Sequence, residues 1–181
     1  MPLLPRRRAG EIDGDFARRR ARFLLLAGLT LLPLSLWLFA RLDRIWSLVV
    51  PLDGAAFMTA ATLLGGLLAI LPLATVLALL MAVWHGVESV YRPRTRSTPL
   101  LDRCLVAAGV LVWFSPAIAL AGAALRAVLT GSIRFSRPPR EYLLATDPIA
   151  FWQSVGFLLI VAAALAYPAW HYWRGKLARH A

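Results

Sequence analysis

The chain has 181 residues, of which 60% are hydrophobic and 16% charged, with a mean hydropathy of +0.67 and a formal net charge of +11. That much apolar surface does not fit inside one soluble core of this length without leaving large exposed patches, so a bilayer is the natural solvent. The positive charge is not a nucleic-acid signature, because the arginines stand at the ends of apolar runs, where orientation signals belong.

Residues 1–20 combine Pro2, Pro5, the triplet Arg6, Arg7 and Arg8, the acids Glu11, Asp13 and Asp15, and a second basic cluster. Mixed charge and few apolar groups predict a basic cytoplasmic tail that is mobile or lies on the surface. Arg18, Arg19, Arg20 and Arg22 fall at the lipid interface, where each attracts anionic headgroups by about 1 kcal/mol.

Four apolar runs follow, at residues 23–40, 55–83, 104–125 and 149–170, and none contains an internal Asp, Glu, Lys or Arg. Each meets the length of roughly 18 residues that a spanning helix needs. The first is longer than the roughly 7–15 residues of a signal-peptide core, so it reads as an uncleaved helix.

Between the first two runs, Leu42, Ile45, Trp46, Val49 and Val50 interleave with Asp43, Arg44 and Ser47 at nearly helical spacing. That pattern predicts a short interfacial helix ended by Pro51, with Asp53 as N-cap of the next helix. The loop at 130–146 holds Arg134, Arg137, Arg140 and the pair Pro138 and Pro139, which predicts a stiff extended connection. Asp147 then caps the fourth helix, with Pro148 at its first position.

One pattern is written twice. Arg22, Ala27, Gly28, Arg41, Asp53, Ala56, Phe57, Trp84 and His85 recur in order as Arg103, Ala108, Gly109, Arg126, Asp147, Ala150, Phe151, Trp170 and His171. Within it, Arg-x-Leu-x-x-Ala-Gly repeats at identical spacing. The predicted fold is an all-α integral membrane protein of four transmembrane helices, arranged as two tandem helical hairpins related by a parallel pseudo-repeat.

Basic residues give the orientation. The segment before the first run, the middle loop and the C-terminus together carry fourteen Arg and Lys, against Arg41, Arg44, Arg126, Arg134, Arg137 and Arg140 in the alternate segments. The positive-inside rule places both termini in the cytoplasm. Trp37, Trp46 and Trp152 then fall toward the outer interface, and Trp84, Trp170 and Trp173 toward the inner one. Trp113 lies deeper, where it is expected to pack on a small-residue face. Nineteen arginines against one lysine fit a GC-rich bacterial gene and hence a cell inner membrane.

Small residues at i, i+4 spacing, Ala61, Gly65 and Ala69, then Ala117 and Ala121, then Ala162 and Ala166, are candidate helix-packing faces. Each run also carries a proline, Pro33, Pro72, Pro116 and Pro168, which frees a backbone carbonyl. Polar groups at depth are mild ones such as Thr75, Ser115 and Gln153, and no ionisable side chain marks a transport path. Arg126, near the end of its run, can snorkel to the headgroups.

Chemistry-bearing residues are sparse. Cys104 is the sole cysteine, which excludes an internal disulfide and a quinone-linked thiol oxidase of similar size. No acidic pair, Ser-His-Asp set, zinc-protease motif or phosphate-cradling glycine loop is present. His85 and His171 end the second and fourth runs beside Trp84, Trp170, Tyr172 and Trp173, so they are candidate axial ligands for a b-type haem. Glu88, one turn beyond His85, is the obvious further metal ligand. The reading that results is a non-enzymatic multi-pass membrane protein, an accessory or structural subunit of a larger membrane complex, in contact with lipid and with other membrane subunits or its own copies. A haem- or quinone-binding anchor is the alternative.

Overall fold

The computed structural model describes residues 5–136 and 139–177, so Arg137, Pro138, Arg179 and His180 lie outside the described residues. In chain order the elements are α1 (Asp13–Ala40), α2 (Leu42–Val49), α3 (Gly54–Val90), α4 (Pro99–Thr130), β1 (Ser132–Ser136), β2 (Pro139–Leu143) and α5 (Pro148–Leu177). Four of them, α1, α3, α4 and α5, are long and apolar enough to cross a membrane. Between 11% and 17% of the most apolar stretch of each is buried within the chain. A helix so apolar and so little covered is at home in hydrocarbon, where its backbone polar groups are satisfied by its own hydrogen bonds.

The helices run past their apolar segments. At 1.5 Å per residue, the 37 residues of α3 extend about 55 Å, well beyond a hydrocarbon core of about 30 Å. Helix α1 starts at Asp13, so Arg18, Arg19, Arg20 and Arg22 stand on helical turns, and Asp13 and Asp15 complement the positive end of its dipole. Pro33, Pro72, Pro116 and Pro168 all sit inside a helix without ending it.

Two compact units divide the chain, residues 1–106 and 107–181, with the division inside α4. In the first, α1 packs along α3. Gly28 makes this approach close: a Cβ there would lie 2.6 Å from Leu79 Cδ2. A short helix forms at the predicted place as α2, and Val49 joins Leu38 and Leu64 in a small core completed by Leu42, Ile45 and Phe57. Trp46 meets Phe57 edge to face at 6.3 Å between centroids. Asp53 occupies the N-cap position of α3 in extended conformation, but its side chain makes no capping hydrogen bond. What joins Asp53 to the helix is its carbonyl, which accepts from Phe57 N–H at 3.5 Å.

The second unit corrects the loop at 130–146. Its residues pair as an antiparallel β-hairpin, Ile133 opposite Tyr142 and Arg134 opposite Glu141. Alternation explains it: Ile133, Phe135 and Tyr142 turn inward onto Ala124, Ala127, Phe151 and Val155, while Arg134 and Glu141 form an exposed ion pair at 3.0 Å. The two prolines mask that alternation in the sequence, because proline is a weak strand former except at a strand start, where Pro139 stands. Gly131 supplies the left-handed turn, φ +65°, that leads into β1.

Some positions of the two copies share burial and others do not: Phe57 is half-buried and Phe151 buried, and His85 is half-buried and His171 exposed. Gly28 and Gly109 are both buried, and Arg22 and Arg103 are both exposed. Asp147 carbonyl accepts from Phe151 N–H at 2.9 Å, as Asp53 does from Phe57. Each phenylalanine then packs under the element preceding its helix, α2 in the first unit and the β-hairpin in the second.

Candidate functional site

The densest polar constellation in the first unit gathers the start of α1, the segment after α3 and the first turn of α4. Pro99 fixes the first helical position of α4, and Thr98 precedes it with its carbonyl accepting from Asp102 N–H at 2.9 Å. Asp102 is buried, and its carboxylate is saturated. Arg94 donates to both oxygens, at 2.6 and 2.5 Å, while Arg18 reaches Oδ1 from α1. Thr98 N–H adds a bond at 3.3 Å, and Arg18 Nη1 donates to Thr98 Oγ1 at 2.8 Å. Two guanidinium groups on one carboxylate leave a surplus of one positive charge at this end of the unit.

Neighbouring contacts tie the same three segments together. Asp15 accepts from both the backbone N–H and the hydroxyl of Thr95, at 3.1 and 2.5 Å. Gly14 donates its N–H to Pro93 O at 2.9 Å, and a Cβ at Gly14 would stand 2.5 Å from that oxygen. Only glycine lets the helix start so close to the loop backbone. Glu11 pairs with Arg19 at 2.6 Å. The hydrogen bond from Arg19 and the one from Arg8 N–H hold the Glu11 carboxyl down at about 2.

Beside this network, α1, α3 and the start of α4 enclose a cavity of about 280 Å³. Its wall is apolar, from Leu25 on α1, Ala82 and Val83 on α3, and Leu101 and Leu105 on α4, with Arg18 and Arg22 on the α1 side. A second cavity, of about 440 Å³, lies in the other unit between α4, β1 and α5, with Arg126 and Arg134 among its lining residues.

The residues singled out from the sequence are distributed as follows. Arg18 and Arg19 are engaged in ion pairs, Arg20 is half-buried with Nε enclosed and unpartnered, and Arg22 is exposed. Trp84 and Trp170 are exposed, whereas Trp173 is 2% exposed. Trp113 stacks on Tyr172 at 5.5 Å and meets Trp173 edge to face at 6.5 Å. Of the small residues, Ala117 and Ala162 are buried, Ala61 and Ala166 half-buried, and Gly65, Ala69 and Ala121 exposed.

His85 is half-buried on α3, and its Nε2 is enclosed without a hydrogen-bond partner. His171 is exposed on α5, its ring 6.4 Å from that of Tyr167. Neither lines either cavity described above. Glu88 pairs with Arg92 at 3.4 Å, and among the described residues no three of His, Cys, Asp or Glu gather as metal ligands would. Cys104 is exposed on α4.

Sequence reasoning had singled out Arg18 but not its partners. Asp102, Arg94, Thr98 and Gly14 were passed over because each looks like an ordinary helix-start or loop residue. The available signal was Thr98-Pro99 followed by Asp102, an N-terminal helix signature that leaves a carboxylate in the first turn. Comparison of the chain with models of known protein families, with curated proteins and with solved structures finds no match.

Proposed function

We propose that this chain is a non-enzymatic, multi-pass inner-membrane protein that serves as an accessory or structural subunit of a larger membrane complex. Its four long helices form two tandem hairpins with both termini in the cytoplasm, the orientation favoured by the fourteen basic residues of the terminal segments and middle loop.

One observation carries the subunit reading: small residues that, among the described residues, are not packed against another element of their own unit. Positions Gly65, Gly66, Gly122 and Gly156 have no atom within 4 Å of where a Cβ would stand, and Ala69 and Ala121 are exposed beside them. In lipid, helices associate through such small-residue faces because apolar surface alone gives no drive between them. Large side chains such as Leu63 and Ile160 flank these faces and are also exposed, 63% and 70%.

Extraction at native expression level in a mild detergent, followed by native mass analysis, tests this reading. A stable assembly that Gly65→Leu disrupts supports it, and a persistent lone chain overturns it. Topology is read separately, by impermeant thiol labelling of single cysteines placed at Ser97 and Ser132 in a Cys104→Ser background. Labelling of Ser132→Cys and not Ser97→Cys from outside the cell is the expected result.

The second reading, a haem- or quinone-binding anchor using His85 and His171, draws support from the unpartnered Nε2 of His85. Haem would supply redox chemistry, with imidazole as its axial ligand. Purification after haem-replete expression tests it: a Soret band that is lost in His85→Ala supports the anchor, and its absence rejects it.

A further inference from the structure

We infer that the 280 Å³ cavity of the first unit is a binding site for an anionic phospholipid, with one acyl chain seated among Leu25, Ala82, Val83 and Leu105 and the lipid phosphate held by Arg22.

The wall determines what fits. A cavity near the lower end of the roughly 300–1,000 Å³ of ligand pockets, lined by aliphatic side chains, suits a segment of hydrocarbon rather than a polar metabolite. Its place along the helices determines the rest. The apolar run of α1 begins at 23 and that of α3 ends at 83, so the cavity lies where charged turns give way to apolar ones. A phospholipid has its phosphate and the root of its acyl chain at that same boundary.

Charge selects the anionic lipids. Arg18 and Arg22 are one turn apart on the α1 side of the cavity, but their commitments differ. The Nη atoms of Arg18 are taken by Asp102 and Thr98. Arg22 is exposed and, among the described residues, makes no hydrogen bond or ion pair, so its five donors are available for a phosphate. The Asp102 cluster adds no compensating negative charge, because Arg18 and Arg94 together outweigh its one carboxylate. A basic edge beside an apolar slot between helices is the arrangement that recognises an anionic headgroup and its chain together.

The test uses the full chain reconstituted in phosphatidylcholine vesicles doped with phosphatidylglycerol, then extracted gently for native mass spectrometry. Phosphatidylglycerol should be retained in preference to phosphatidylcholine. Arg22→Gln should lower that retention by about fivefold, the factor that one surface arginine contributes toward anionic lipid. Ala82→Phe, which fills the cavity, should abolish it, while Arg126→Gln in the other unit should leave it unchanged. Should Ala82→Phe fail to fold, Leu101→Trp at the more exposed part of the wall reads the same blockage. Equal retention of the two lipids, or retention untouched by both Arg22→Gln and the filling variant, overturns the proposal. Equal binding of glycerophosphoglycerol, the headgroup without chains, also overturns it, since the site would then recognise free phosphate alone.

Discussion

Arg94 closes its two terminal nitrogens onto the two carboxylate oxygens of Asp102, at 2.6 and 2.5 Å, from a loop position only eight residues before it. Arg18, eighty-four residues away in sequence, completes the same carboxylate. One aspartate therefore joins the start of α1, the segment after α3 and the first turn of α4. Replacing Asp102 with Asn leaves two poorly solvated guanidinium groups facing a neutral amide, at a cost of about 3 kcal/mol. The expected outcome is a lower thermal midpoint in detergent and faster proteolysis between Tyr91 and Thr98. Arg18→Gln, which leaves the bidentate pair intact, should cost distinctly less.

Gly14 and Gly28 are both close-approach positions, but the neighbours differ in their ability to yield. At Gly14 the obstacle is a backbone oxygen, Pro93 O, whereas at Gly28 it is the end of the Leu79 side chain. Gly14→Ala should therefore displace the α1 start from the loop and lose the N–H bond to Pro93. Gly28→Ala should cost about 1–2 kcal/mol by overpacking. A double-mutant cycle checks the mechanism: in a Leu79→Ala background the Gly28→Ala penalty should vanish, leaving the helix-propensity gain of about 1 kcal/mol. An undiminished penalty would show that Leu79 is not the obstacle.

Phe151 is fully buried in the second unit, while its repeat counterpart Phe57 is half-buried in the first. Truncation to alanine should cost about 3–5 kcal/mol at Phe151 and less at Phe57. Because Phe151 lies beneath the β-hairpin, its loss should also expose residues 132–143 to hydrogen exchange and to protease. Protection unchanged in Phe151→Ala would place the hairpin's support elsewhere.

Acid should release the segment before α1. The Glu11 carboxyl is lowered from its ordinary 4.5 to about 2, chiefly by the Arg19 hydrogen bond and then by Arg8 N–H. A depressed carboxylate contributes stability that is fully present above about 4.5 and is lost as pH falls through about 2. NMR titration of the Glu11 carboxyl carbon should find its midpoint well below that of an exposed glutamate. Arg19→Gln should raise that midpoint, and in Glu11→Gln the loosening of residues 7–11 in acid should no longer track this window.

The architecture was legible from residue order because hydrocarbon is a demanding solvent. Four uncharged apolar runs, the amphipathic segment at 42–49 and the proline at the first position of α5 all announce themselves locally, since each must satisfy its own backbone bonds or bury its own apolar face. Of the doubled pattern, Gly28 and Gly109 are both buried and Arg22 and Arg103 both exposed, whereas the phenylalanines of Asp-x-x-Ala-Phe differ in burial.

What residue order could not decide is which polar groups find one another. Asp102, Arg94 and Arg18 are distant or ambiguous in the sequence, and a carboxylate in a first helical turn reads as a cap until a second helix brings it a guanidinium. The β-hairpin was hidden for a related reason: its strands are held by pairing across the turn and by the Phe151 core, not by local propensity. The apolar cavity beside Arg22 belongs to the same class, because it exists only once three helix segments converge and leave space between them. Sequence therefore determined four helices long and apolar enough to cross a membrane and the short helix at 42–49 through local solvation, while tertiary structure alone decided the ion cluster, the hairpin and the cavity through contacts between distant residues.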